Sequence, residues 1–151
     1  MKLVDDKSEI LLVEDNPDDI KLAMHAFEKH RLANHVTVLR DGAEALDFLF
    51  RRGPYSDLKG KPLPKLVLLD LKLPLVSGIE VLQEIKNDPT TQMIPVVALT
   101  SSQEDLDLEN CYRLGVNSYI LKPVDFEQFL EVVGQLGFYW LLLNRLPGSR
   151  G

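Results

Sequence analysis

The sequence predicts an α/β domain with a single five-stranded parallel sheet and helices on both of its faces. Two observations support this prediction. Short aliphatic runs alternate five times with segments in which apolar residues recur at helical spacing. Most of these runs are continuously apolar, which is typical of parallel strands that are buried on both faces. Because the chain has 151 residues and contains no internal repeat or dividing linker, one domain accounts for it.

The first strand and the first helix meet at a cluster of polar residues. Ile10–Val13 is the predicted strand. Asn16 is suited to cap the following helix, Pro17 is suited to its first position, and the acidic residues after them complement the helix dipole. The apolar pattern predicts that this helix ends at about His30.

The second strand, 36–39, leads into a helix that Asp41 is placed to cap. Asp41 and Glu44 have the spacing of a capping box, with Asp in the place of Ser or Thr. The segment 51–64 that follows is rich in glycine and proline, and it predicts an exposed loop. The basic residues in and beside it are expected to form a solvated rim, with docking of a partner as the alternative; they are Arg51, Arg52, Lys59, Lys61 and Lys65.

The third and fourth strands each end in a residue whose side chain can take part in a reaction. Leu66–Leu69 is the third strand and runs directly into Asp70. Apolar residues at helical spacing predict a third helix, which stops before the Asp88–Pro89 pair. The fourth strand covers 94–99 and ends at Thr100.

The last elements continue the alternation. A largely polar pattern predicts a fourth helix over 104–114, and Gly115 is suited to end it. The fifth strand is 118–121. Asp125 then caps a fifth helix, whose apolar face consists of Phe126, Phe129, Leu130 and Val133.

Composition and charge limit the classes of function. The chain carries 17 basic and 23 acidic residues and a net charge of −6, which argues against nucleic acid as a main partner. Cys111 is the one cysteine, so neither an internal disulfide nor a cysteine-based zinc site can be built. The N-terminus does not have the pattern of a signal peptide, and no apolar stretch is long enough to span a bilayer. These observations predict a cytoplasmic protein.

Both ends of the chain differ from the domain between them. Residues 1–8 are polar and predict a loose tail, and residues 9–136 form the predicted domain. Residues 137–151 begin with an apolar and aromatic segment, and no output domain is expected. Two interpretations of this extension remain open: it prolongs the fifth helix and packs on its own domain, or it forms a surface for a partner or a homodimer.

The residues that end the strands carry the candidate chemistry. In a parallel sheet the carboxyl ends of the strands share one edge, where α/β proteins place their ligand sites. The residues at these ends are Glu14, Asp15, Asp70, Thr100 and Lys122. Clustered carboxylates favour Mg²⁺, an Asp can form an aspartyl phosphate, and an ammonium and a hydroxyl can contact phosphoryl oxygens. Taken singly, each residue is better explained as a turn, a cap, a strand end or a solvated side chain; together they predict a site for phosphoryl transfer.

Four motifs carry a resemblance to a known family. They are Val13-Glu14-Asp15-Asn16, Leu69-Asp70, Leu99-Thr100-Ser101 and Tyr119-Ile120-Leu121-Lys122-Pro123. With these motifs, and with similar spacing between them, the chain resembles the response regulator receiver domains of two-component signalling over residues 9–136. The long loop 51–64 and the aromatic extension are similar to those of the stand-alone receivers that serve bacterial and cyanobacterial phytochrome kinases.

The resemblance implies the flavodoxin-like receiver fold, with strand order 2-1-3-4-5. It also implies a phosphorylation reaction in which a histidine kinase, of the phytochrome type, is the donor. Asp70 is then the phosphoacceptor, and Thr100 and Lys122 contact the phosphoryl group. Tyr119 is the switch residue that turns inward when Thr100 moves, so that the face of helix four, strand five and helix five changes for a downstream protein.

The resemblance further implies a Mg²⁺ cofactor. Its ligands are Glu14, Asp15, Asp70 and the main-chain carbonyl of Lys72, and the Lys122–Pro123 peptide bond is expected to be cis. Lys72 departs from the family pattern, in which this position often holds a smaller polar residue. A second ammonium there is expected to affect the lifetime of the phosphate or the water shell of the metal.

Two other functions are compatible with the sequence. The first is a Mg²⁺-dependent phosphatase with Asp70 as its nucleophile, although such enzymes usually carry an acid/base carboxylate two residues on, where this chain has Lys72. The second is a phosphorylation-independent interaction or dimerisation scaffold that uses the aromatic extension. The strand-end residues favour the signalling module, which is not an enzyme.

Overall fold

A computed structural model describes residues 9–100, 113, 115–116, 118–122, 124–128 and 130–131. Several predictions fall outside these residues and stay predictions. They concern the N-terminal tail, the fourth helix, the Lys122–Pro123 peptide bond and the extension over 137–151. Of the predicted fourth helix, the structure describes only Arg113, which is helical.

The predicted parallel sheet is confirmed. Its strands are β1 (Ile10–Val13), β2 (Val36–Leu39), β3 (Leu66–Asp70), β4 (Val96–Thr100) and β5 (Ser118–Leu121). They lie in the order β2-β1-β3-β4-β5, and every neighbouring pair is parallel. The described helices are α1 (Pro17–Lys29), α2 (Gly42–Leu49) and α3 (Gly78–Asn87), with short 3-10 helices at Ala33–His35 and Gly53–Leu58.

The sheet separates two apolar cores, because successive residues of each strand point to opposite faces. In β1, Leu11 and Val13 face the core that packs against α2 and α3. Ile10 and Leu12 face the core that packs against α1 and the helical residues after β5. The helical residues of this second core are Ala23, Ala26, Phe27, Phe126 and Leu130. Helices therefore cover both faces of the sheet, as predicted.

None of the helices in the described part of the chain combines the length and the apolarity that crossing a bilayer requires.

The helix starts confirm the predicted caps. The side chain of Asn16 accepts two main-chain N–H groups from the first turn of α1, at 2.9 and 3.2 Å. Asp41 accepts the N–H of Glu44 at 2.7 Å, and Asp125 accepts a main-chain N–H three residues on at 3.1 Å. The Glu44 carboxylate does not complete the capping box at α2, because it accepts a hydrogen bond from Tyr55 instead.

The fourth strand begins two residues later than predicted. The N–H of Ile94 donates to the carbonyl of Thr91 in the preceding turn, at 3.0 Å, and Pro95 has no N–H. Neither residue can donate a hydrogen bond to a neighbouring strand, so β4 begins at Val96.

The prediction that 51–64 is an exposed loop is wrong for part of the segment. Tyr55 lies in the 3-10 helix Gly53–Leu58 and is only 5% exposed. Its hydroxyl donates to Oε2 of Glu44 at 2.8 Å, and its ring packs edge-on against Phe48 with the ring centroids 5.3 Å apart. These contacts attach the segment to α2.

Arg51 is buried rather than solvated, so the prediction for this residue is also wrong. Its guanidinium donates to the carbonyls of Phe48 at 2.9 Å and of Pro62 at 2.8 Å. It also lies 5.0 Å from the centroid of the Phe48 ring. A guanidinium has several N–H donors, so it can bond the carbonyl of Phe48 in α2 and that of Pro62 in the loop at the same time, which explains a charged residue in this position.

The other basic residues of the rim divide into two groups. Three are exposed, as predicted, and they are Arg52, Lys59 and Lys61. Lys65 is partly buried, and its Nζ atom lies 3.8 Å from the carboxylate of Glu9. The solvated surface of this segment is therefore smaller than its composition predicts.

Replacing Tyr55 is expected to destabilise the domain in proportion to what is removed. Tyr55→Phe removes only the hydrogen bond to Glu44, which should lower the free energy of unfolding by about 1 kcal/mol. Tyr55→Ala also removes the contact with Phe48 and should cost about 3 kcal/mol. Urea denaturation followed by circular dichroism measures both changes. Ser56→Ala, at an exposed neighbour, is the control; if Tyr55→Ala is as stable as this control, Tyr55 does not anchor the segment.

Candidate functional site

The register of the strands brings the predicted site residues to one edge of the sheet. β1 and β3 are in register at their carboxyl ends, so Glu14 and Asp70 are neighbours. β4 and β5 are likewise in register, and this places Thr100 and Lys122 at the same edge. Asp15 completes the set. The prediction that these residues share an edge is therefore confirmed.

Three carboxylates form a cluster at this edge. Glu14, Asp15 and Asp70 each place one carboxylate oxygen within 4.8 Å of the other two. Asp70 is 4% exposed and Glu14 is 1% exposed, whereas Asp15 faces solvent. Carboxylate oxygens in such a group are a donor set for a hard divalent cation. The cluster is therefore able to hold a metal ion that enters from the side of Asp15.

Burial makes the charged form of Glu14 unfavourable. The pKa of Glu14 is raised from 4.5 to about 7, and removal from water is the largest cause. The neighbouring Asp70 carboxylate also raises this pKa, while Lys122 and the N–H of Asn16 lower it. A cation among these oxygens favours the charged form of Glu14, so the burial and the donor set both fit a bound metal.

The ammonium of Lys122 contacts three carboxylates. Its Nζ atom is close to Glu14 Oε1 at 2.8 Å, Asp19 Oδ2 at 2.9 Å and Asp70 Oδ2 at 3.3 Å. Burial alone lowers the pKa of Lys122, but the hydrogen bonds to Glu14 and Asp19 outweigh burial and raise the pKa above its ordinary value. Lys122 is therefore a stable positive charge beside Asp70.

Asp19 is not among the residues that the sequence predicts for this site. It lies in the first turn of α1, where the helix dipole alone explains an acidic residue. The signal that identifies it is its spacing: Ala23 and Ala26, four and seven residues later, are both buried. Asp19 therefore continues the buried face of α1 towards the edge of the sheet.

The backbone around Asp70 is fixed by its neighbours. Oδ1 of Asp70 accepts the main-chain N–H of Lys72 at 3.2 Å, and the N–H of Leu71 donates to the carbonyl of Leu99 at 3.1 Å. A Cβ atom on Gly78 would overlap the carbonyl oxygen of Asp70. Only glycine therefore allows the start of α3 to pack this closely against residue 70.

The loop between β3 and α3 is held between two helix starts. On one side, Ser77 and Glu80 form a complete capping box at α3, with hydrogen bonds of 3.0 and 3.2 Å. On the other side, Gly42 begins α2, and a Cβ atom there would overlap the carbonyl oxygen of Val76. The segment that follows Asp70 is thus restrained by packing at both ends.

The geometry brings the site residues together but does not test their predicted roles in phosphoryl transfer, including those of Asp70 as phosphoacceptor and Lys122 as a phosphoryl contact. Tyr119 lies in β5 opposite Ala98, but its side chain is outside the described part of the structure, so its role as a switch stays a prediction. Thr100 is fully buried at the end of β4, and its contact with a phosphoryl group also stays a prediction. Lys72 exposes its side chain, and the role of its carbonyl as a metal ligand stays a prediction as well.

Gly78→Ala is expected to displace the backbone of Asp70 or the start of α3. Since neither can move freely, the free energy of unfolding should fall by about 2 kcal/mol. Gly60→Ala is the control, because Gly60 has a φ of +85° but no atom within 4 Å of an added Cβ. Only backbone strain of about 1 kcal/mol is expected there. Urea denaturation compares the two variants, and equal stabilities would contradict the close packing at Gly78.

Comparison with known proteins agrees with this geometry. Residues 10–134 match the family model described as the response regulator receiver domain. A probable methanogenesis regulatory protein, FilR2 of Methanothrix harundinacea, is 46% identical over 139 residues, which cover 92% of this chain and 87% of FilR2. Response regulator Rcp1 of Synechocystis sp. is 38% identical over 140 residues, which cover 93% of this chain and 93% of Rcp1.

Solved structures are similar in fold as well as in sequence. The phosphorylated cyanobacterial phytochrome response regulator RcpA has a TM-score of 0.74 at 42% identity, over 87% of this chain and 92% of RcpA. The Mn²⁺-bound form of Rcp1 also has a TM-score of 0.74, at 39% identity, over 87% of this chain and 93% of Rcp1. The fold is therefore the flavodoxin-like receiver fold that the sequence predicts.

Proposed function

The chain belongs to the response regulator receiver family, and on that premise we propose that it accepts a phosphoryl group on Asp70 and signals to a protein partner. The observation that carries this proposal is the setting of Asp70. It is a nearly buried carboxylate at a strand end, with two further carboxylates within 4.8 Å and the ammonium of Lys122 at 3.3 Å. The donor is a histidine kinase, and the protein is a stoichiometric acceptor rather than an enzyme.

Phosphoryl transfer requires a nucleophile and compensation of negative charge. A carboxylate oxygen of Asp70 attacks the phosphorus of a phosphohistidine whose other ring nitrogen is protonated; the O–P bond forms while the P–N bond breaks, and the ring leaves as neutral imidazole with the electron pair of that bond. Lys122 is charged and close to Asp70, so it offsets the negative charge on the phosphoryl oxygens. Thr100, at the end of β4, donates its hydroxyl to one of these oxygens.

Mg²⁺ is the proposed cofactor. Glu14, Asp15 and Asp70 would hold it together with the main-chain carbonyl of Lys72, and it would supply positive charge to the phosphoryl oxygens. The Mn²⁺-bound form of Rcp1 supports a divalent ion, and the burial of Glu14 supports it in this chain. The carboxylates of the cluster repel an incoming phosphate when no cation is bound to them.

The signal arises from the charge that phosphorylation adds. A phosphoryl group carries about −1.5 to −2 charges at pH 7, which attracts the ammonium of Lys122 and the hydroxyl of Thr100. As Thr100 moves, Tyr119 turns inward, and the surface around β5 changes for a downstream protein. The response is thus an exchange of contacts around a fixed acceptor.

Asp70→Asn is expected to abolish phosphorylation, because the amide lacks the nucleophilic carboxylate. In the presence of Mg²⁺ and a small phosphodonor, the wild-type chain should gain one phosphate, as measured by mass spectrometry of the intact protein. Asp57→Asn, at an exposed position, is the control and should be phosphorylated like the wild type. Chelation of divalent ions should stop uptake. A wild-type chain that takes up no phosphate, or that rapidly turns over a phosphate ester, would contradict the proposal.

A groove beside the site is suited to bind the protein that donates the phosphoryl group. It has a volume of about 600 Å³ and lies between α1 and residues 124–128 and 131. Leu22, which is 57% exposed, lines one wall, and Phe126 lines the other. Because α1 begins at the site and residue 124 closely follows Lys122, a protein donor that docks in this groove brings its phosphohistidine near Asp70.

Leu22→Arg is expected to slow phosphorylation by a kinase about tenfold or more, since it replaces an apolar contact surface of the groove with a longer, charged side chain. Uptake from a small phosphodonor, which needs no docking, should be unchanged. Met93→Arg is the control, because Met93 is 84% exposed and lies before the amino end of β4, at the opposite edge of the sheet. Rates of transfer from a purified kinase measure the effect. Equal rates for both variants would exclude docking at Leu22.

A phytochrome-type kinase is the donor that we propose, and the similarity to the phytochrome response regulator RcpA supports it. The name of FilR2 refers to methanogenesis regulation, which is a different setting. Phosphotransfer profiling against a phytochrome kinase and against kinases with other sensors distinguishes these settings. Faster transfer from the phytochrome kinase supports the proposal, and transfer only from another kinase contradicts it.

A further inference from the structure

Asp19 contacts the site but has no role in the function proposed above. Its Oδ2 atom lies 2.9 Å from Nζ of Lys122, closer than Oδ2 of Asp70 at 3.3 Å. The main chain of Asp19 is held in place, because its N–H donates to the side chain of Asn16 at 3.2 Å. The side chain is 23% exposed, so it lies at the mouth of the site, whereas the Asp70 carboxylate lies inside it.

We propose that Asp19 is a positioning residue that anchors the ammonium of Lys122 at the mouth of the site. An ammonium has three N–H donors; that of Lys122 donates hydrogen bonds to Asp19 and Asp70 and forms an ion pair with Glu14. The contact with Asp70 is the longest of the three, so Asp19 and Glu14 hold the ammonium more closely than Asp70 does. This inference rests on the proposed function, because it gives Asp19 a part in the phosphorylation of Asp70.

The anchor affects how easily a metal ion enters the site. A metal ion held by Glu14 uses the same carboxylate that Lys122 contacts at 2.8 Å, so the metal and the ammonium compete. Asp19 weakens this competition, since it offers the ammonium a partner outside the cluster. Without Asp19, the ammonium is expected to settle between Glu14 and Asp70, where it hinders the metal.

The same anchor affects the phosphoryl group. Once a metal engages Glu14, Asp19 remains as the carboxylate that orients Lys122. The other N–H donors of the ammonium can then point towards the oxygens of a phosphoryl group on Asp70. Loss of Asp19 is therefore expected to slow phosphorylation as well as to weaken metal binding.

The test is a double-mutant cycle with a matched charge control. Asp19→Asn keeps the shape of the side chain and removes its charge. Asp18→Asn makes the same change of charge in the same helical turn, but at an exposed side chain. Each variant is made in the wild-type chain and in the Lys122→Gln chain. Titration with Mn²⁺ alone, followed by electron paramagnetic resonance, gives the metal affinity; initial rates with a small phosphodonor and Mg²⁺ give the second readout.

Asp19→Asn is expected to weaken Mn²⁺ binding and to slow phosphorylation by roughly three- to tenfold each, the size of one partly exposed charge contact. Asp18→Asn should change either quantity by less than about twofold, because an exposed charge is screened. In the Lys122→Gln chain the effect of Asp19→Asn should vanish, since Asp19 acts through that ammonium. Asp19→Glu retains the carboxylate and should restore part of both quantities.

Two results would overturn the inference. One is an equal effect of Asp19→Asn and Asp18→Asn; the other is an undiminished effect of Asp19→Asn in the Lys122→Gln chain. Circular dichroism and thermal unfolding establish that each variant is folded, and Asp19→Ala replaces Asp19→Asn in the cycle if the latter is not. A wild-type chain that binds Mn²⁺ but takes up no phosphate refutes the proposed function. In that case the double-mutant cycle, measured by Mn²⁺ affinity, still shows whether Asp19 acts through Lys122.

Discussion

Glu14 and Asp70 are buried side by side, and the rest of the site depends on how their charges are compensated. Two carboxylates removed from water lose hydration and repel each other. Lys122, which directly follows β5, offsets them, and its position depends on the pairing of β1, β3, β4 and β5. Since that ammonium is shared with Asp19, the described residues leave an excess of negative charge for a cation to neutralise. The site is therefore a product of tertiary structure, with its charges supplied by separate elements.

Asp70, the proposed acceptor, is held more firmly than the groups around it. Asp70 ends the central strand of the sheet, with β1 on one side and β4 on the other, and Gly78 packs against its carbonyl. Lys122, in contrast, reaches the site through a long side chain with several carboxylate partners within 3.3 Å. A fixed acceptor beside a redirectable cation suits a two-state device, because new charge on the acceptor changes the contacts of the cation without moving the sheet.

The fold and the strand-end residues could be predicted because both depend on local patterns. An apolar run that stops at Asp70 predicts both a strand and the position of its carboxyl end. The alternation of strands and helices predicts a parallel sheet, in which such ends lie together. Asp19 depends on more than a local pattern, since its partner is 103 residues away and the helix dipole already explains an acidic residue there. The sequence predicts Arg51 in solvent because it begins a segment rich in glycine, proline and basic residues; its burial depends on contacts of its guanidinium with the carbonyls of Phe48 and Pro62, which the sequence pattern does not reveal.

The segment 51–64 leads into the amino end of β3, so it lies at the opposite edge of the sheet from Asp70. Tyr55 and Arg51 fasten it to α2 rather than to the strand ends. Changes at the exposed positions of this segment, such as Arg52, Lys59 and Lys61, therefore leave the contacts of the candidate site unaltered. The two edges of the sheet differ in what a substitution can reach: at the carboxyl edge it meets the clustered charges, whereas at the amino edge it changes only the surface that the chain presents to other molecules.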